Sequence, residues 1–217
     1  MACPRAHNMM RIHVGHGGKL SRYKADFPIP WTLNEKSFLD HGHDMNDIMY
    51  VKECLQTALA AVNSMDIGIT FTYVSLDENK RAIFTLSYQY CHLDEFFTCQ
   101  FTTFAQAFLP GQQMTDAYLY ELAFAPAYLH SITNILCHEI AHTLGMRHWN
   151  AAWMEAHEKS VQFPSNSDNS RSVMGRWNDP AEIHFWEEDK IYLKMFYSKN
   201  EGETIGGYEI EDIILTL

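Results

Sequence analysis

Cys137-His138-Glu139-Ile140-Ala141-His142-Thr143-Leu144-Gly145-Met146-Arg147-His148-Trp149 is the stretch that decides how this chain is read. His138 and His142 are four residues apart, a spacing that puts both imidazoles on one helical face, one turn apart. Neutral imidazole is a good zinc ligand, and a catalytic zinc takes three protein ligands and keeps one position for water. Glu139 is too short and too poorly placed to be the third ligand, but its carboxylate reaches that water as a general base. Gly145 allows positive φ, so the helix ends there and the chain turns sharply, bringing His148 back to the same metal. The residues therefore read as metal ligands His138, His142 and His148, with Glu139 catalytic and Zn2+ the cofactor.

The whole pattern, H-E-x-x-H-x-x-G-x-x-H, is the long zinc signature of the metzincin metallopeptidases, and the chain resembles that family over most of its length. Ser172-Val173-Met174-Gly175 has the letters of the methionine turn that metzincins place under the zinc. Phe104-Ala105-Gln106-Ala107-Phe108-Leu109-Pro110-Gly111 is similar to the edge-strand sequence of matrixins, and H-E-I-A-H-T-L-G-M-R-H to matrixin-like peptidases of fungi. Two positions depart. Arg176 stands where astacins and serralysins carry a tyrosine, and Trp149 where astacins carry a glutamate. The resemblance is thus matrixin-like within the clan.

That resemblance implies an α/β (α+β) fold of the metzincin type. A twisted mixed sheet with two long helices is followed by a small C-terminal subdomain with the turn methionine and one helix. It implies a zinc-dependent metalloendopeptidase whose protein or peptide substrate lies extended along an edge strand at 100–108. Residues 176–180 then help wall the pocket for the side chain after the cut. Without a tyrosine at 176, no side chain is assigned to the oxyanion beside the metal. Metzincins usually act outside the cell, so the resemblance implies secretion, although the first thirty residues lack the apolar core of a signal peptide. The other reading is a catalytically weak or inactive zinc-binding interaction module on the same fold. Trp149 and Arg176 speak for it and the intact Glu139 against it. A structural zinc domain fits less well, because such sites are usually closed by four ligands with cysteines.

Composition narrows the partners. The 217 residues suit a single domain, and 47% hydrophobic residues are enough for a real core. The net charge of −11 disfavours nucleic acid and anionic membranes, both of which need basic surface. There is no transmembrane run and no repeat, and a monomer is expected. Of the five cysteines, Cys91 and Cys99 are spaced to close a short loop as a disulfide. Cys54 and Cys137 fall on predicted helices as buried thiols, and Cys137 points about 100° away from the ligands around its helix. Cys3, in A-C-P-R, has the wrong order for the P-R-C-G switch of matrixin propeptides.

Along the chain, residues 1–27 read as a flexible N-terminal arm: polar, with His7, His13, His16 and a Gly17-Gly18 pair. The catalytic domain is expected over 28–217, with subdomains at 28–145 and 146–217. Strands are predicted at 28–33, 67–74 (Ile69, Phe71 and Tyr73 on one face), 82–90, 100–108 and 117–124. Asp44 reads as the N-cap of a helix over 44–65, rather than as part of a second ion site with His41 and His43. The buried stripe of that helix is Ile48, Val51, Leu55, Leu59 and Val62. Residues 77–80 read as a turn and 91–99 as a connector. The helix bearing His138 starts near 129–131, ends at Leu144, and buries Ile132, Ile135, Leu136 and Ile140. The polar stretch 155–172 reads as a mobile surface segment. A last helix over 187–197 is expected to turn Ile191, Met195 and Phe196 inward, and a strand is placed in 204–213.

Overall fold

The computed structural model describes residues 10–24, 28–75, 82–90, 103–112, 116–151, 159–163 and 171–213. The expected turn at 77–80, the connector 91–99 with its Cys91–Cys99 disulfide, and Cys3 lie outside the described residues.

The fold is α+β. Strand β3 (Pro28–Leu33) lies between β4 (Thr70–Tyr73) and β5 (Phe84–Gln89), and β5 lies beside β7 (Asp116–Tyr120). These pairings are parallel, and the short β6 (Ala105–Gln106) closes the sheet antiparallel to β7. Parallel neighbours require crossovers. Here α1 (Glu35–Leu39) and α2 (Met45–Asn63) connect β3 to β4. Asp44 caps α2 as its sequence requires, accepting from Asn46 N at 2.7 Å and Asp47 N at 3.0 Å. Ile48, Val51, Leu55, Leu59 and Val62 are all buried along it. The α2 helix packs on α3 (Ile132–Thr143), whose Ile132, Ile135, Leu136 and Ile140 are buried as expected.

Four local expectations are corrected. Of the strand placed at 100–108, only Ala105–Gln106 is strand among the described residues. The strand placed at 117–124 stops at Tyr120, and Glu121–Phe124 forms a 3-10 turn closed by Ala125 N donating to Leu122 O at 3.2 Å. Tyr88 Oη donates to the Glu121 carboxylate there, and Pro126 has no N–H to continue a ladder. Tyr73 is 39% exposed although Phe71 on the same face is buried. It sits at the end of the outer strand, where Trp31 and the Lys52 ammonium cover its ring in place of core. The last helix, α4 (Glu187–Tyr197), turns Asp189, Leu193, Phe196 and Tyr197 inward and leaves Ile191 and Met195 exposed. A buried acceptor for backbone N–H groups at Asp189 sets that rotation.

The largest correction concerns the expected flexible arm. Within it, residues 10–24 are strands. Strand β1 (Arg11–His13) pairs antiparallel with β8 (Met146–Arg147) on one side and β9 (Ser160–Gln162) on the other. Strand β2 (Leu20–Tyr23) runs parallel to β11 (Tyr208–Ile213), which forms a hairpin with β10 (Thr204–Ile205). Met10, Ile12, Val14, Leu20 and Tyr23 are buried, so this segment has the apolar surface that an arm lacks. Strand β9 likewise lies inside the stretch 155–172 that reads as loose. The rest of that stretch, apart from 159, 163, 171 and 172, lies outside the described residues.

Candidate metal centre

Helix α3 carries His138 and His142 on one face, and Leu144 ends it. Gly145 follows with φ 95°, and its N–H donates to His142 O at 2.8 Å. A side chain would be strained at that φ. The reversal feeds β8 and then His148. Among the described residues these three histidines form the one cluster able to hold a metal ion, their ligand atoms all within 4.8 Å of one another. His138 Nε2 and His148 Nε2 stand 3.1 Å apart.

Backbone carbonyls fix two of the rings. His138 Nδ1 lies 2.9 Å from Val173 O and His142 Nδ1 2.9 Å from Met146 O. A carbonyl only accepts, so both Nδ1 atoms carry hydrogen and both Nε2 atoms present lone pairs. Burial reinforces this by disfavouring the imidazolium. It lowers His138 and, with its histidine neighbours, holds His142 well below the ordinary value. His148 is pushed down to about 3 by burial, then by His138 and Arg147. Carbonyl acceptors behind the ligands are the support that metal-binding histidines usually have.

Beneath the rings runs the turn Ser172-Val173-Met174-Gly175, closed by Gly175 N donating to Ser172 O at 2.8 Å. Its backbone reaches both sides of the triad: Val173 O takes His138, while Met174 O accepts from Trp149 N at 3.1 Å. Asp189 of α4 holds the turn from behind, its Oδ2 accepting from Val173 N at 2.8 Å and Trp186 N at 3.0 Å. Burial raises Asp189 to about 6 against the pull of those donors. Met174 is fully buried. Met174→Ala is expected to destabilise the protein by roughly 2–5 kcal/mol, the cost of truncating a buried methionine, while changing metal affinity much less. Chemical denaturation of the metal-free protein alongside metal titration checks this. Loss of metal with unchanged stability would contradict a packing role.

The triad opens on a cleft of about 610 Å³. Residues 103–107, including β6, form one rim, and Arg176, Trp177 and Ile183 line another part. Glu139 lies inside it, 6% exposed, and its Oε2 has no hydrogen-bond partner among the described residues. Burial pushes its carboxyl up to about 8, with the Ala107 N–H pulling the other way.

All four residues chosen from the sequence therefore meet at one place. His41, His43 and Asp44 do not form an ion site: Asp44 is spent on its cap, His41 Nδ1 on Ser37 O, and His43 faces Asp47. Cys54 and Cys137 are buried free thiols, as expected. Sequence reasoning missed Arg11, whose Nε donates to Trp149 O at 3.2 Å, and the role of Asp189 behind the Val173 turn. The alternation Arg11-Ile12-His13-Val14 is a strand signal that marks the first, whereas no local pattern marks the second. No described helix is long and apolar enough to cross a membrane. No protein-family model matches the chain, and no curated protein matches it.

Proposed function

We propose that this chain is a zinc metalloendopeptidase of the metzincin type, matrixin-like in its motif, acting as a monomer on extended protein or peptide segments. The observation that carries the reading is the convergence of three neutral imidazoles and one buried carboxylate, its Oε2 unpartnered among the described residues, on a single cleft. Zinc suits the donors. Tetrahedral zinc with bonds of about 2.0–2.1 Å sets neighbouring ligand atoms roughly 3.3 Å apart, close to the 3.1 Å between His138 Nε2 and His148 Nε2. Three histidines with no fourth protein donor among the described residues match a catalytic rather than a structural site. Val173 O, in the segment expected to form the methionine turn, accepts from His138 Nδ1, which supports that family reading.

Zinc, when bound, supplies Lewis acidity toward a scissile carbonyl and acidifies water in its remaining position. His138, His142 and His148 would hold it. Glu139 takes the proton of the attacking water and delivers it to the departing amine. Its carboxyl is driven up by burial in the metal-free protein. A cation in the triad acts oppositely and favours the carboxylate that a base must be. Strand β6 is the edge of the five-stranded sheet and borders the cleft, so a substrate can add to it backbone to backbone. Ile135, Leu109, Trp177 and Ile183 offer apolar walls to a substrate side chain.

The test is metal analysis with casein or gelatin cleavage, each with and without chelator. Parent protein is expected to hold about one zinc and to cleave in a chelator-sensitive way. His138→Ala/His142→Ala is expected to lose both properties. Stoichiometric zinc in that double variant would place the ligands elsewhere. Zinc binding without cleavage of any protein or peptide library would point to the interaction module.

A further inference from the structure

We infer that Arg11 is a positioning residue for the metal centre, setting His148 through the backbone of Trp149; the inference rests on the metal-site reading above. His148 is the one ligand outside α3, so its placement depends on what holds the chain from Gly145 to Trp149. On the near side, His13 N donates to Gly145 O at 2.9 Å, and β1 pairs with β8 in the register Arg11↔Arg147 and Ile12↔Met146. On the far side, Trp149 N is held by Met174 O, and Trp149 O takes Arg11 Nε at 3.2 Å.

Arg11 is a fork and not a tether of one bond. Its Nη2 donates to Gln162 Oε1 at 2.9 Å and its Nη1 to Ser160 Oγ at 3.4 Å, both on β9. The planar guanidinium therefore ties β9 to the peptide that follows the third ligand. Arginine suits this because its donors are fixed relative to one another. The same strand pairing also bears on His142, whose Nδ1 donates to Met146 O in β8. Two of the three ligands thus depend on the N-terminal strand, and Arg11 is its contact beyond His148.

The charge of Arg11 works against this role, which makes the test selective. A guanidinium near the site repels a dication, so removing charge alone would tighten metal binding. A loss of affinity on removing Arg11 marks positioning. Partners that orient ligands from behind typically account for 10–100-fold in metal affinity.

The experiment measures zinc affinity by competition with a chromophoric chelator, and the visible absorption of the cobalt-loaded protein, in parent, Arg11→Ala, Arg11→Lys and Gln162→Ala. Arg11→Ala is expected to bind zinc at least tenfold more weakly and to shift the cobalt bands. Arg11→Lys, which keeps the charge and one donor, is expected to fall between it and the parent. Gln162→Ala, which removes one prong of the fork but leaves the Arg11–Trp149 bond, is expected to lose clearly less affinity than Arg11→Ala. Less than a tenfold loss in Arg11→Ala overturns the inference, as does an equal loss in Gln162→Ala, which would indicate general damage to the sheet. Should Arg11→Ala not fold, parent-like affinity in Arg11→Lys overturns it. A parent that binds neither zinc nor cobalt sinks the metal-site reading itself and this inference with it.

Discussion

Glu139→Ala is expected to abolish peptide cleavage while leaving zinc bound. The residue sits among the candidate ligands, but the proposed mechanism gives it different work from its neighbours. Three imidazoles remain to hold the ion, two of them fixed by carbonyls that Glu139 does not touch. What disappears is the proton acceptor in the cleft. Loss of a general base alone is worth about 10²–10⁴ in rate. In the proposed mechanism the same carboxylate also orients the water and protonates the amine, so the upper end of that range or beyond is expected. The change should not unfold the protein. Glu139 is buried with an unpartnered Oε2, so its removal relieves a desolvation cost. Metal-free melting is expected at or above the parent temperature, which separates lost chemistry from lost fold. A quenched-peptide assay and metal analysis on the variant decide the matter. Cleavage as fast as the parent would remove the mechanism, whatever the metal content.

Such a prediction is possible from residues because the site is written locally. His138, Glu139 and His142 share one helix, and Gly145 at φ 95° needs only the backbone to reverse the chain toward His148. The stripe of α2 and the cap at Asp44 are legible for the same reason: periodicity and capping act within a few residues. What failed is what depends on distant chain. Arg11 meets Trp149 across 138 residues and Arg22 meets Asp212 across 190. A short polar segment with a glycine pair looks like an arm until its strand partners are known. Helix α4 buries Phe196 as its sequence leads one to expect, but Ile191 and Met195 face outward. Its inward face joins Leu193, Phe196 and Tyr197 to Asp189, which reaches Val173 N sixteen residues back. The candidate site sits at the meeting of the two kinds of information. The three histidines are local, while their supports come from β1, the turn at Val173 and α4.

The sharpest test of that non-local part is Arg22→Ala, expected to destabilise the protein by roughly 3–5 kcal/mol, the usual cost of removing one partner of a buried ion pair. Arg22 is 2% exposed. Its Nε donates to Asp212 Oδ1 at 2.7 Å, its Nη1 to Phe196 O, and its Nη2 to Lys199 O at 2.7 Å. The guanidinium also lies 5.6 Å from the centre of the Phe196 ring and 5.7 Å from that of Tyr197. Alanine would strand a carboxylate that is only 11% exposed and leave two carbonyls at the end of α4 without this donor. Were residues 10–24 a solvated arm, the same change would fall within about 0.5 kcal/mol, as surface substitutions do. A cycle with Asp212→Asn separates the pair from the carbonyls. Neutralising Asp212 first removes the stranded charge, so Arg22→Ala should cost less in that background, yet still more than a surface change because Phe196 O and Lys199 O remain. Denaturant unfolding of the metal-free proteins gives all four stabilities. Because α4 also carries Asp189 beneath the Val173 turn, the most destabilised variant should lose metal more readily as well. An Arg22→Ala protein as stable as its parent would mean that β2 is not anchored to α4 and β11 as described.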